Sequence, residues 1–541
     1  MFPPSNRARC LWSALASLLL GLIGLPAEPV AAAERLHVHL DGLEIPIDLE
    51  QLEAWSRRRT RLQDSQLGPG DDFSKGELAV WLELMDGRSR NNLSRLLRGP
   101  LLRSRTFGEQ LLTSWAGQRI LVEVGSLLTD ADGRDSTALL QDTLRRLLEE
   151  RGEVTVLDLL SAMPADDLHL QLDTLLAQAE QWRDQLRLQQ RALRRLRRME
   201  LPDRQERPLA FSEAPEVQMQ RLLLPVDHRD APLPLELWRG RSTEAPGPWV
   251  LLMPGLGGNS EQLGWLAAAL ADRGWPAVVL QHPGSDAGAM RALLAGAKPP
   301  PGAETLPDRL ADLEAVLAAE AHGVLPPMGD GVVLMGHSLG AMTALLASAP
   351  APEPGLERRC REALRRLPIT NLSRLLQCQM ADLSLELRPP PSLQEGTLRG
   401  VVVLNGFGSL LWPRRGLDRL SVPLLMVGGS LDLITPPVSE QLELFLPSSQ
   451  PRSRLVVVDG GSHFSPVRVS RRGEVLFQLG EELVGVEPQR VQNLILRVSV
   501  EFLQGLTGPD LLPPQHRLQE GVGAYVLDAA AARRWQKDLS R

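Results

Sequence analysis

The chain has 541 residues, a formal charge of −7 and a pI of about 5.8. At about 150 residues per domain it holds more than one domain, and 43% apolar residues suffice for packed cores. Mild acidity and a single tyrosine, Tyr525, argue against nucleic-acid binding, which calls for a basic face and aromatic stacking platforms.

In chain order, the first segment reads as an export signal. Arg7 and Arg9 precede the apolar run Leu11–Leu25, and Ala31 and Ala33 occupy the small-residue positions of a cleavage site. Residues 1–33 are therefore expected to be removed after Ala33. The run is shorter than the ~18–20 residues of a membrane span, and Cys10 lies before it, where no lipoprotein cysteine would be. The mature chain is expected in a periplasm, a thylakoid lumen or the medium. Of the three cysteines, Cys10 leaves with the signal. Cys360 and Cys378 remain as an even pair, which allows a disulfide or two buried thiols.

Residues 34–165 read as a small all-α domain. "IDLEQLEAWSRR" places Leu49, Leu52 and Trp55 on one face. "FSKGELAVWLELM" opens with Ser74 as a cap and carries Leu78, Trp81 and Leu82. Strand alternation is confined to "RLHVHL", and no cluster of His, Cys or carboxylates suggests chemistry. Residues 166–205 read as a basic helix and linker. In "EQWRDQLRLQQRALRRLRRME", Trp182, Leu186, Leu193 and Leu196 lie loosely on one side. The plainer reading is a solvated connector, and the functional one is a lid or surface helix that meets anionic lipid.

Over residues 206–506 short β-rich runs alternate with helical ones. Two antiparallel-type strands lead, and continuous apolar strands such as "WVLLM", "AVVL" and "GVVLM" then indicate a parallel sheet covered on both faces. Residues 350–399 interrupt this alternation with helices and "RPPPS", where a lid would be. Residues 507–541, with "GPDLLPP", read as an irregular tail.

The chemistry centres on "VVLMGHSLGAMTALLASA". Gly336, Ser338 and Gly340 form G-x-S-x-G between a strand and a helix, the corner that exposes a serine nucleophile. By itself the motif is weak. In this fold a carboxylate and then a histidine must follow. Two histidines do, and His463, directly after "RLVVVDGG", is the expected base, while His516 sits among prolines. Among Asp382, Asp418, Asp432 and Asp459, Asp432 stands just past "VPLLMVGG", where a carboxylate can orient the imidazole. Oxyanion donors are expected at the N–H of Leu339 and, in the glycine-rich "MPGLGGNS", at Leu256, because Pro254 has none. "QHPGSD", Gln281–Asp286, lines the site or simply turns and caps. No spacing suggests a metal or a dinucleotide, so no cofactor is expected.

"MPGLGGN", "AVVLQHPGSD", "GHSLG", "NLSRLLQCQ", "GGSLD" and "GGSHFS" together resemble cyanobacterial serine α/β-hydrolases. These pair an N-terminal helical domain of unknown role with a hydrolase domain similar to platelet-activating-factor acetylhydrolases. They are often labelled predicted dienelactone hydrolases. The resemblance extends over nearly the whole mature chain. It implies an α/β-hydrolase fold with a helical lid, a triad of Ser338, Asp432 and His463, oxyanion donors at Leu256 and Leu339, and a Cys360–Cys378 pairing in the lid. Two departures stand out. The family carries His-Gly where this chain has Pro254-Gly255, and dienelactone hydrolases proper use a cysteine where this chain has Ser338.

The expected activity is cleavage of a small-molecule or lipid ester, with peripheral membrane contact and no nucleic acid. An acyltransferase using the same triad and a non-catalytic binding module are the alternatives. The sequence leaves the oligomeric state open.

Overall fold

The computed structural model describes residues 33–63, 77–102, 104–130, 132–205, 217–240, 247–393, 396–448, 450–468 and 488–539. The expected signal peptide, except Ala33, and the Ser74 cap lie outside the described residues. Contacts divide the chain into two compact units, Met1–Gly108 with Leu121–Leu175, and Glu109–Ile120 with Leu176–Arg541.

The first unit is built mainly of helices α1 (Leu49–Gln63), α2 (Glu77–Leu84), α3 (Gly87–Arg98), α4 (Arg105–Thr113), α5 (Trp115–Leu127), α6 (Thr137–Arg151) and α7 (Val156–Ala162), with parts of α4 and α5 counted in the second unit. Leu49, Leu52 and Trp55 share the buried face that their spacing predicts, and Leu140, Leu147 and Leu148 do the same on α6. The expectation of an all-α domain needs one amendment. β1 (Arg35–Leu40), β2 (Leu43–Asp48), β4 (Leu128–Asp130) and β6 (Asp167–Gln171) form a sheet of order β2-β1-β6-β4. β3 (Pro100–Leu102) and β5 (Val154–Thr155) form a second pair. Most of these strands are too short to show a period of two, and β6 lies in what reads as linker. The basic helix itself is α8 (Leu172–Arg197).

The second unit is organised on an eleven-stranded sheet. Its strands are β7 (Asp203–Gln205), β8 (Val217–Leu224), β9 (Leu233–Gly240), β10 (Trp249–Met253), β11 (Ala277–Leu280), β12 (Val332–His337), β13 (Leu398–Leu404), β14 (Leu424–Gly429), β15 (Arg454–Val458), β16 (Gln515–Gln519) and β17 (Val522–Leu527). The order is β7-β16-β17-β15-β14-β13-β12-β10-β11-β9-β8. The run β15-β14-β13-β12-β10-β11 is parallel throughout, and β9 and β17 pair with its edges antiparallel. Side chains of these strands alternate between two cores: Val332 and Leu334 pack on one face, Val333 and Met335 on the other. That double burial is why the parallel strands read as unbroken apolar runs. Helices α9 (Glu261–Ala271), α10 (Ala287–Leu294), α11 (Leu306–Ala321), α12 (Leu339–Ser348), α13 (Leu356–Ala363), α14 (Ser373–Leu383), α15 (Pro488–Thr507) and α16 (Ala529–Leu539) complete the unit.

Residues 507–541 are not an irregular tail. β16 and β17 form a hairpin about Glu520 and Gly521, both at positive φ (50° and 81°), and extend the main sheet. Trp535 of α16 is fully buried and donates to the Ala192 carbonyl at 2.9 Å. The prolines that suggest irregularity precede the hairpin and do not enter it. Within residues 350–399, α13 and α14 are joined by a Cys360–Cys378 disulfide whose Cα atoms are 5.3 Å apart, and β13 already begins at Leu398.

Candidate active site

Ser338 terminates β12 in a turn that only a tight packing of glycines permits. Its backbone is at φ 53°, ψ −116°, a conformation that L residues rarely hold. A Cβ on Gly336 would come 2.2 Å from the Gly340 carbonyl carbon, and one on Gly340 would come 2.0 Å from the Met253 carbonyl oxygen. The turn is thus pressed against the end of β10, where the glycine-rich loop begins. A Cβ on Gly255 would lie 3.1 Å from that of Ser338, so the loop backbone runs directly past the nucleophile candidate. Leu256 and Leu339, the expected donors, follow directly on Gly255 and Ser338; Leu339 is fully buried and Leu256 partly so.

His463 and Asp432 leave the ends of β15 and β14, neighbouring strands in the sheet. The His463 Nε2 is 3.0 Å from Ser338 Oγ, and its Nδ1 is 2.9 Å from Asp432 Oδ2. A carboxylate only accepts, so Nδ1 carries the proton and Nε2 receives the serine O–H. Ser338, His463 and Asp432 are 8%, 5% and 0% exposed, so the relay is nearly dry. Asp432 also accepts from the Asn405 amide (2.6 Å), the Thr435 hydroxyl (2.6 Å) and the Ile434 and Thr435 N–H groups (2.8 Å each). Burial alone would raise its pKa. The facing His463 and these hydrogen bonds outweigh burial and lower it to about 2, so the carboxylate is charged at neutral pH.

Several supporting residues carry no motif. His337 donates from Nε2 to the His463 carbonyl (2.8 Å) and fixes the loop of the base. Burial first, and then the charge of His463, lowers its pKa to about 3, so it stays neutral. On α11, Arg309 is 1% exposed and bonds three segments at once. It donates to the Pro254 carbonyl in the glycine-rich loop (2.5 Å), to Ser285 Oγ in "QHPGSD" (2.7 Å) and to Thr343 Oγ1 on α12 (3.0 Å). One turn on, the buried Asp312 accepts from His282 Nδ1 (2.8 Å), His228 Nε2 (2.7 Å) and Arg229 Nε (2.6 Å). Burial would raise its pKa, but hydrogen bonds from His282 and Arg229 hold it well below the usual carboxylate range. "QHPGSD" therefore turns and caps: Asp286 accepts from the Ala289 N–H at 3.0 Å. It also braces, because Gly257 N–H donates to the Ser285 carbonyl at 2.8 Å. A signal for Arg309 and Asp312 exists in the sequence. Both fall at helical spacing among Leu306, Leu310, Leu313 and Val316, where charge has no place unless it is bonded.

The insertion is pinned to the acid loop. Leu372 and Ser373 N–H groups donate to the Leu433 and Ile434 carbonyls (3.3 and 2.9 Å), and Asn371 donates to the buried Glu440 (2.7 Å). Asn371, Leu372 and Ser373 open the stretch "NLSRLLQCQ". The described cavities, among them one of about 430 Å³ lined by Arg119, Cys360 and Cys378 and one of about 780 Å³ lined by Arg204, Trp275 and Arg497, do not include Ser338.

Residues 250–477 match a family model described as an alpha/beta hydrolase family. This part of the chain has the α/β-hydrolase fold. Residues 32–171, ahead of it, match a model described as an alpha/beta hydrolase of unknown function. No curated protein matches the chain. Within the hydrolase domain, strand order, the parallel run and the serine corner agree with that fold.

Proposed function

We propose that the chain is an exported serine hydrolase that cleaves carboxylic esters. The observation that carries this reading is the continuous hydrogen-bonded path from Ser338 Oγ through His463 to Asp432. His463 takes the proton as Ser338 attacks the ester carbonyl. The tetrahedral oxyanion rests on the N–H groups of Leu256 and Leu339. Collapse expels the alcohol with the histidine's proton, and water activated by the same imidazole then releases the acid. The resemblance to platelet-activating-factor acetylhydrolases favours a lipid or other acyl ester as substrate. Export draws support from the signal-like residues 1–33 and from the disulfide, which suits an oxidising compartment.

The decisive experiment is labelling with a fluorophosphonate probe, paired with hydrolysis of p-nitrophenyl esters of graded chain length. Wild type should label and Ser338→Ala should not, with kcat lower by about 10⁴-fold or more. A wild-type protein that is folded yet neither labels nor hydrolyses any ester of the series would remove the reading.

A further inference from the structure

The basic helix presents a one-sided array of cations. From Glu180 to Glu200 there are seven arginines and three carboxylates, in a chain whose overall charge is −7. Arg183, Arg187, Arg191 and Arg194 recur at i, i+4, i+8 and i+11, and Arg198 follows at i+15, just past the end of α8. At 3.6 residues per turn all five fall within an arc of about 80°, and the four on the helix extend over about 16 Å. All five are exposed. Glu180 and Asp184 stand at the start, where Asp184 pairs with Arg187 at 3.0 Å; beyond Arg187 the helix carries no acid. Leu176, on the same arc, is 43% exposed.

The opposite side of α8 is fixed to the hydrolase domain. Trp182 Nε1 donates to the Leu367 carbonyl (3.1 Å), Arg366 to Gln181 (2.5 Å), and Thr370 to Gln185. Ala192 and Leu196 are fully buried. The helix therefore cannot roll, and its arginine stripe has a set direction relative to the insertion that anchors the acid loop.

We infer that this stripe is a docking surface for an anionic phospholipid bilayer. A straight row of guanidinium groups fits a plane of phosphates, because each fork can take two phosphate oxygens. The exposed Leu176 on the row suits the acyl boundary just beneath the headgroups. A nucleic-acid backbone would offer that leucine nothing, and the stripe interleaves no aromatic ring for base stacking. Among the described residues no helix is long and apolar enough to cross a membrane, so the contact is peripheral. The inference stands apart from the ester-hydrolase reading, since docking needs no triad.

Co-sedimentation of the mature chain with phosphatidylcholine vesicles, with and without phosphatidylglycerol, tests it. Binding should require phosphatidylglycerol and weaken as salt is raised. The triple variant Arg191→Gln, Arg194→Gln, Arg198→Gln should bind at least tenfold more weakly with an unchanged thermal midpoint. Arg533→Gln, Arg534→Gln, Lys537→Gln on α16, with the same change in charge, should bind like wild type. Ser338→Ala should also bind like wild type, so the two readings fail separately. Binding indifferent to phosphatidylglycerol, equal binding by the stripe variant, equal loss in the α16 variant, or tighter binding of an RNA duplex than of vesicles at the same salt would each overturn the inference.

Discussion

A fully buried guanidinium is costly unless its donors are all used to effect. Arg309 uses three, and they end on the glycine-rich loop, on "QHPGSD" and on the helix behind Ser338. It positions the proposed oxyanion donors without touching the ester. Arg309→Lys keeps the charge and loses the fork, so kcat on a soluble ester should fall about tenfold or more while KM barely moves. A parallel rise in KM would point to general loosening instead. Asp432 permits a prediction with a definite sign. Its pKa is depressed from 3.8 to about 2 in the folded state, so its contribution is present above about pH 4 and is lost as pH falls towards 2. Denaturant titrations of wild type and Asp432→Asn should therefore differ by an amount that shrinks by about 2 kcal/mol over that interval. Gly340 and Gly264 form a contrasting pair. A methyl on Gly340 strikes the Met253 carbonyl at 2.0 Å, whereas on Gly264 the nearest atom is 3.7 Å away. Gly340→Ala should destabilise by several kcal/mol, about 3 or more, and Gly264→Ala should be neutral or stabilise by up to about 1 kcal/mol, as thermal melts would read.

Elements differ in how openly the sequence displays them. The parallel strands are legible because each is apolar on both faces, and the serine corner because a strand, two glycines and a helix follow one another within a few residues. Ser338, Asp432 and His463 could be chosen because chain order and strand ends restrict where such groups sit. The N-terminal strands and the β16–β17 hairpin were harder. The first are two to six residues long, and the second follows a proline-rich stretch that masks its alternation. The apolar neighbours of Arg309 along its helix mark it as a bonded charge, but its partners, like those of His337 and Asn405, lie far apart in sequence, where no local pattern identifies them. The insertion carries its own prediction. The Cys360–Cys378 bond closes a loop of 18 residues, and such a loop is worth roughly 3 kcal/mol by chain entropy. The double variant Cys360→Ser, Cys378→Ser should open α13 and α14 to limited proteolysis while the sheet stays protected; equal rates of cleavage in both proteins would contradict this.

At the scale of the whole molecule, acid should act on two buried histidines. Burial first, with Arg309 assisting at His282 and His463 at His337, lowers their pKa values to about 4 and about 3. Below about pH 6.5 the unfolded chain takes up protons that these folded histidines refuse, so stability falls steadily towards pH 4. Between pH 6.5 and 5 the loss should be about 2–4 kcal/mol, and His282→Gln should flatten the slope.

The hairpin of residues 515–527 joins β15 on one side and β7 on the other, and α16 locks it through Trp535. A polypeptide that stops short of residue 515 has a sheet with an open flank at β15 and β7 without its neighbour. Truncation before residue 515 should therefore leave the main sheet incomplete at that flank and lower its stability, as a thermal melt would read.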